Sequence, residues 1–526
     1  MLFNSWTFGV FLALFVPVFV LVRHDVTKRN ILFLVSSYIF YGWWDARFLI
    51  LVAVSTSVDF IAALGAAGKP VYWIDRLKSG AFLLATTVVA LAFTGFREIW
   101  ALLLVLAGLA VLAAATVLID HLTFKHRRKG WLLLSLVTNL GILAVFKYFN
   151  FFASSFNGVL QVFGLHADFV TLSIVLPVGL SFYTFQAISR TMDSYRGIFD
   201  PSRSLLNYAA YHAFFPQLVA GPIERARHLM PQFETVRPID REMITTGALL
   251  FAWGLYKKIV IADNVAPMAN AVFSTPSGHT TGEYVVAVLA FAFQIYCDFS
   301  GYSDMARGLA RCLGFDLMDN FNQPYFARTP SEFWRRWHIS LSSWLRDYLY
   351  IPLGGNRGSK ARVHSNLMLT MLLGGLWHGA SWTFIVWGGI HGAILVVYRL
   401  FDVDGRLDRN DPATVRGATV HIAAWLVLMV LVMAAWVFFR SRSFGDAGTV
   451  LAGCLGISGL KFEVLRPLLF YIAPLIAVEI YQRFSGNMEF MARGPFLVRY
   501  SAAMSIVLAI VVLGASSGQQ FIYFDF

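Results

Sequence analysis

IWALLLVLAGLAVLAAATVLI, residues 99–119, contains no charged residue and no proline. At about 1.5 Å per residue such a run reaches across the ~30 Å hydrocarbon core of a bilayer as one helix. Working outward, comparable apolar runs occur at 6–22, 417–438, 463–481 and 498–514, with another near 80–96. The whole chain of 526 residues is 58% hydrophobic and only 14% charged, against about a quarter charged in soluble proteins. Mean hydropathy is +0.64. The composition predicts an all-α polytopic integral membrane protein with about eleven to thirteen membrane-embedded segments. The first run lacks a basic stretch before it, and Arg23 follows where a cleavage site would need small residues. It is expected to stay as a transmembrane helix rather than leave as a signal peptide.

The net charge of +12 does not point to nucleic acid, because the basic residues cluster in inter-helix loops. Arg23, Lys28 and Arg29 follow the first run, and Lys125, Arg127, Arg128 and Lys129 follow the fifth. The alternate loops are short and nearly neutral, so the positive-inside rule places the N-terminus outside the cytoplasm. Beyond residue 400 the loops mix both signs and give no orientation. Cys297, Cys312 and Cys454 form no CxxC pair or even-numbered disulfide framework, and two of them, in apolar surroundings, read as small packing residues.

Three zones differ in texture. Residues 1–170 read as a transmembrane scaffold and 401–526 as plain C-terminal spans. Between them, 171–400 repeatedly breaks its apolar runs with polar, Gly and Pro residues: LPVGLSFYTFQ, FFPQLVAGPIE, QIYCDFSGYSDMARG and FWRRWHISLSSWLRDYLYIPLGG. Polar, broken backbone at membrane depth is tolerated only around a protein-lined or watery cavity. The middle zone is therefore expected to carry the site.

Read as one helix, residues 333–355 place Trp334, Trp337, Leu341, Trp344, Leu345 and Tyr348 on one arc. Arg336, Ser340, Ser343 and Asp347 fall opposite, Arg335 and Arg346 on a flank, and His338 at the edge of the apolar arc. Such a helix suits an interface or a funnel wall; the arginines either snorkel or face the funnel. A second histidine, His378, lies in LLGGLWHGASWTF beside Trp377, between Gly375 and Gly379, a spacing that lets a neighbouring helix come close. A histidine inside an apolar segment is costly unless it lines a cavity. Asp298 and Asp304 enter a membrane-like run with Arg307 and Arg311 three and seven positions after Asp304. They read as internal ion pairing around a re-entrant turn at Gly301; alternatively, Arg307, Arg311, Lys257 and Lys258 attract a phosphate-bearing donor or an acidic carrier. A metal site on His378 and His391 lacks any close HxxxH, HExxH or Cys pair, so none is expected.

Two histidines in a membrane cavity suit acyl transfer. A buried imidazole is favoured in its neutral form, which can take the proton of a hydroxyl as it attacks a thioester carbonyl. His378 fits the base, with His338 orienting it, polarising the carbonyl or relaying the proton; the sequence does not assign which is which.

PYFARTPSEFWRRWHISLSSWLRDYLYIPLGGNRG (324–358) and LLGGLWHGASWTFIVWGGIHG (372–392) together resemble the membrane-bound O-acyltransferase family. Within it they resemble the bacterial subtype containing the membrane subunit of alginate O-acetyltransferases. FPQLVAGPIER (215–225), QIYCDFSGYSDMARG (294–308), the opening MLFNSW and the closing FIYFDF fit the same subtype. The resemblance implies a helical bundle with re-entrant and interfacial helices around a central tunnel, where a cytoplasmic and an outer funnel meet. It implies that His378 is the family's invariant histidine and His338 its second essential position, often asparagine in eukaryotic relatives. Arg335, Arg336, Arg346, Asp298, Asp304, Trp377 and Gln217 become candidates for binding donor or substrate.

It further implies a bacterial inner-membrane enzyme, N-terminus periplasmic, with no bound cofactor. The acetyl donor would be a cytoplasmic thioester, acetyl-coenzyme A or an acyl carrier. Expected partners are a periplasmic or membrane-anchored SGNH-type acetyltransferase and a polysaccharide synthesis complex, and the product a secreted O-acetylated polysaccharide, alginate or a similar one. Two other readings stay open: transfer of D-alanine or another acyl group to a cell-wall polymer, and a polysaccharide export channel built from the same broken helices.

Overall fold

The computed structural model describes residues 1–165, 175–515 and 521–522. The boundary near 170 between the first two zones, and all but Phe521 and Ile522 of FIYFDF, lie outside the described residues. Among the described residues every regular element is helical. Within those residues ten helices are long and apolar enough to cross a membrane, and Trp6–Val22 is a shorter apolar helix. The chain divides into two compact units, Met1–Ile239 with Gly314–Leu317, and Asp240–Leu313 with Met318–Phe526.

In the first unit the Phe48–Ala66 helix is 83% buried over its apolar window, whereas Ile99–Asp120 is 11% buried and offers its leucines to the surroundings. The buried helix carries Asp59, fully inside. Its carboxylate accepts from Ser135, from Asn139 Nδ2 at 2.7 Å and from Thr191 Oγ1 at 3.2 Å. A carboxylate at that depth is tolerated because its lone pairs are taken.

The second unit is built on the Thr281–Cys312 helix, also 83% buried over its apolar window. Thr280 and Glu283 close a capping box at its start. Gly301 lies inside this continuous helix, so the expected re-entrant turn is replaced by a packing seam. A methyl on Gly301 would sit 2.7 Å from the Gly254 carbonyl oxygen, and one on Gly308 2.5 Å from that of Gly247. Missing side chains let Arg241–Tyr256 come within backbone contact, as small residues do in membrane helices.

The Lys360–His378 and Trp382–Leu400 helices form a hairpin sealed in the same way. A methyl on Gly388 would meet the Met371 carbonyl oxygen at 2.2 Å, and one on Gly375 that of Phe384 at 2.2 Å. The chain breaks at Gly379–Ser381, and Gly388–Gly389 lie within the second helix.

The 333–355 stretch is not one helix. Thr329 caps Pro330–Arg336, Trp337 leaves the helix with extended backbone, and His338 takes the left-handed conformation at φ 42°. Helix resumes at Ile339–Leu345 and widens to a π-turn over Arg346–Tyr350. The single arc expected from uniform helical spacing is therefore cut at the histidine.

Candidate active site

The cut in the helix positions His338. Its side chain is wholly buried, and its Nδ1 lies 3.1 Å from Asn320 Oδ1. That oxygen also accepts from the Ser340 hydroxyl at 2.8 Å and the Ser340 amide at 3.3 Å. Asn320 Nδ2 donates to Ser303 Oγ at 3.0 Å, which fixes the amide's orientation. An oxygen that collects donors sets the histidine tautomer: Nδ1 carries the proton and Nε2 is the basic nitrogen. His338 lies outside the ten candidate spans, and burial pushes its imidazole down to about 3, so the ring is neutral near pH 7.

His378 ends the Lys360–His378 helix and is 4% exposed. Its ring centroid lies 6.4 Å from that of His338, with the planes at 60°. The two rings share an aromatic box. Phe299 meets His338 edge-on at 4.6 Å, Trp377 lies 5.9 Å from it, and Trp387 and Phe439 meet His378 at 5.0 and 5.4 Å. Tryptophans and phenylalanines leave water little access, which keeps imidazole basicity available for a bound hydroxyl.

The other residues singled out from sequence have partners of their own. Trp377 belongs to the box. Asp298 is buried; it pairs with Lys258 at 2.8 Å and accepts from the Ile522 amide at 2.7 Å. Phe521 packs on Phe299 at 6.2 Å, so Asp298 ties the described end of the chain to the ring that faces His338.

Asp304 pairs with Lys257 at 2.7 Å and Arg307 at 3.6 Å and lines a polar cavity of about 210 Å³. Phe321, on the wall of that cavity, also stacks on His338 at 6.4 Å. The basic groups there are matched by acids: Arg307 also bonds Asp319, and Arg311 bonds Glu489 at 3.0 Å rather than Asp304. Lys258 is held by both Asp263 and Asp298 at 2.8 Å.

Arg336 donates to Glu332 at 2.8 Å, Arg346 bonds Asp347 at 2.8 Å, and Arg335 and Arg346 are exposed. None of the three arginines joins the aromatic box. Gln217 belongs to the first unit, where it is buried and donates to the Tyr211 carbonyl at 3.0 Å.

Sequence reading missed Asn320, the residue that selects the His338 tautomer. The only signal was the polar pair Asn320 and Asn322 around Phe321, immediately before the 324–358 motif.

The membrane-bound O-acyltransferase family model matches residues 88–439. A probable alginate O-acetylase of Azotobacter vinelandii is 41% identical over 86% of this chain and 77% of its own length. A peptidoglycan O-acetyltransferase of Helicobacter pylori is 34% identical over 76% of this chain and 83% of its own. A teichoic acid D-alanyltransferase of Streptococcus thermophilus is 27% identical over 45% of this chain and 63% of its own.

Proposed function

Because the chain belongs to the membrane-bound O-acyltransferase family, we propose that it takes acetyl groups from a cytoplasmic thioester and delivers them across the bacterial inner membrane for O-acetylation of a secreted polysaccharide. The likeness of most of the chain to alginate O-acetylases supports alginate or a similar polymer. Coenzyme A or an acyl carrier supplies the thioester, and a periplasmic SGNH-type partner with the polysaccharide synthesis complex completes the transfer.

The single observation that carries the chemistry is the approach of two buried imidazoles, one held in the accepting tautomer by Asn320. An acceptor hydroxyl gives its proton to the histidine pair as its oxygen attacks the thioester carbonyl. The C–O bond forms, the C–S bond breaks, and the thiolate leaves with the proton returned from imidazole. With Nδ1–H committed to Asn320, neutral His338 presents a lone pair and not a donor at Nε2. It therefore serves proton transfer rather than carbonyl polarisation.

Membranes given labelled acetyl thioester test the reading. His378→Ala and His338→Ala are each expected to insert normally and lose acetyl transfer by about 10²-fold or more. Wild-type acetyl content on the exported polymer in either variant overturns it. The likeness to D-alanyltransferases supports a second reading, D-alanyl transfer to a wall polymer, and the mass added to the product separates the two.

A further inference from the structure

The first unit contains a groove that the acyl-transfer chemistry does not use. It has a volume of about 810 Å³ and lies among the Phe48–Ala66, Trp73–Phe93, Ile99–Asp120 and Phe124–Leu143 helices. Leu51, Val54 and Val58 form one wall, and Leu104, Val105 and Leu112 the other. Along the Ile99–Asp120 helix the lining runs from Trp100 to Ala115, a length of about 22 Å at 1.5 Å per residue. That exceeds one leaflet's share of the ~30 Å hydrocarbon core. The groove opens sideways: this helix is mostly unburied, and a methyl on Gly108 would meet nothing within 4 Å.

One end of the groove is polar. Arg47 and Glu98, the residues before the Phe48–Ala66 and Ile99–Asp120 helices, line it together with Trp100. Arg47 Nη1 reaches Glu98 at 3.1 Å, Arg47 Nη2 reaches Asp45 at 2.6 Å, and Trp100 Nε1 donates to Glu98. Two membrane-spanning helices begin here, so the cluster falls at the level where head groups meet hydrocarbon, and a tryptophan there fits that level. Arg47 and Glu98 give this end one cation and one anion, and Arg97 beside Glu98 balances Asp45, so the two loops together carry no net charge.

We propose that this groove holds a bilayer phospholipid with a zwitterionic, amine-bearing head group, of the phosphatidylethanolamine class. Its acyl chains lie along the leucine and valine walls. Its phosphate accepts from Arg47, and its ammonium donates to Glu98 and Asp45. A zwitterion answers both signs of charge, whereas an anionic head group would bring a negative charge with no cation of its own for the carboxylates. A choline head group has no N–H to offer them. The lipid fills the side of the Ile99–Asp120 helix that protein leaves uncovered.

The test is to place the full chain in nanodiscs of equal phosphatidylethanolamine, phosphatidylcholine and phosphatidylglycerol with identical acyl chains. Lipid surviving gentle transfer to detergent is then counted by native mass spectrometry. Phosphatidylethanolamine is expected to be retained above both others. Arg47→Gln with Glu98→Gln is expected to cut that retention about tenfold or more. Gly108→Trp, which fills the groove and leaves the polar end intact, is expected to cut it too, with monodisperse elution and acetyl transfer maintained. Retention in proportion to supply, preference for either other lipid, or retention unchanged in both variants overturns the proposal.

Discussion

At the scale of single residues, His338 is set by its backbone as much as by its neighbours. A φ of 42° lies in the left-handed region, which costs most side chains about 1 kcal/mol or more and which asparagine tolerates. His338→Asn is therefore expected to keep the fold, with a melting temperature in detergent above that of His338→Ala, while both lose acetyl transfer. Equal melting temperatures would contradict the backbone argument. The imidazole also makes stability depend on pH. Its value in the folded chain, about 3, lies below that of a free histidine near 6.5. Its contribution is full above about pH 6.5 and is lost as pH falls toward about 3, because unfolding then takes up a proton. Between about pH 7 and about pH 5 the wild type is expected to lose more thermal stability than His338→Asn. His378 stood out in the sequence because a titratable group is costly in an apolar run, and His338 because it sits at the edge of an apolar arc in a charge-rich segment. Asn320 did not, because its bond to His338 spans a separation of 18 residues that only the fold closes.

At the scale of elements, glycine decides how close helices come. Gly388 faces the Met371 carbonyl, backbone against backbone, so no side chain can swing away to admit a methyl. Gly388→Ala is expected to destabilise the hairpin by about 1–3 kcal/mol and, by moving His378, to lower kcat more than KM. Unfolding in detergent and steady-state acetyl transfer measure both. The GxxxG spacing at Gly375 was legible as a close approach. Gly301 was misread as a turn, since the same residue breaks a helix in water and seams helices in a membrane, and only the partner carrying Gly254 tells the cases apart. Ion pairing within the Thr281–Cys312 helix was legible in kind and in the Asp304–Arg307 pair, but not in Lys258 and Glu489, which take Asp298 and Arg311. Lys258 bridges two buried carboxylates, Asp263 and Asp298. Lys258→Met takes this cation from both and is expected to cost about 3–5 kcal/mol, read as loss of folded protein; a variant as stable as wild type would refute it.

At the scale of the whole molecule, apolar run length was enough to foresee a many-span helical protein, and the ten candidate spans agree with it. Orientation rests on loop charge alone. With Cys297, Cys312 and Cys454 replaced, single cysteines at residues 4 and 95 are expected to react with a membrane-impermeant thiol reagent from the periplasmic side. A cysteine at residue 126 is expected to be shielded there; the reverse pattern inverts the topology. Run length could not reveal how distant segments converge. The tie from Ile522 to Asp298, with Phe521 on the ring that faces His338, has a consequence in time. A nascent chain threads its membrane helices into the bilayer in order, so both histidines are in place well before residues 521–522 leave the ribosome. The surroundings of His338 are therefore completed only after residues 521–522 have been made, and a chain cut short before them carries both histidines without the contact of Phe521 on Phe299.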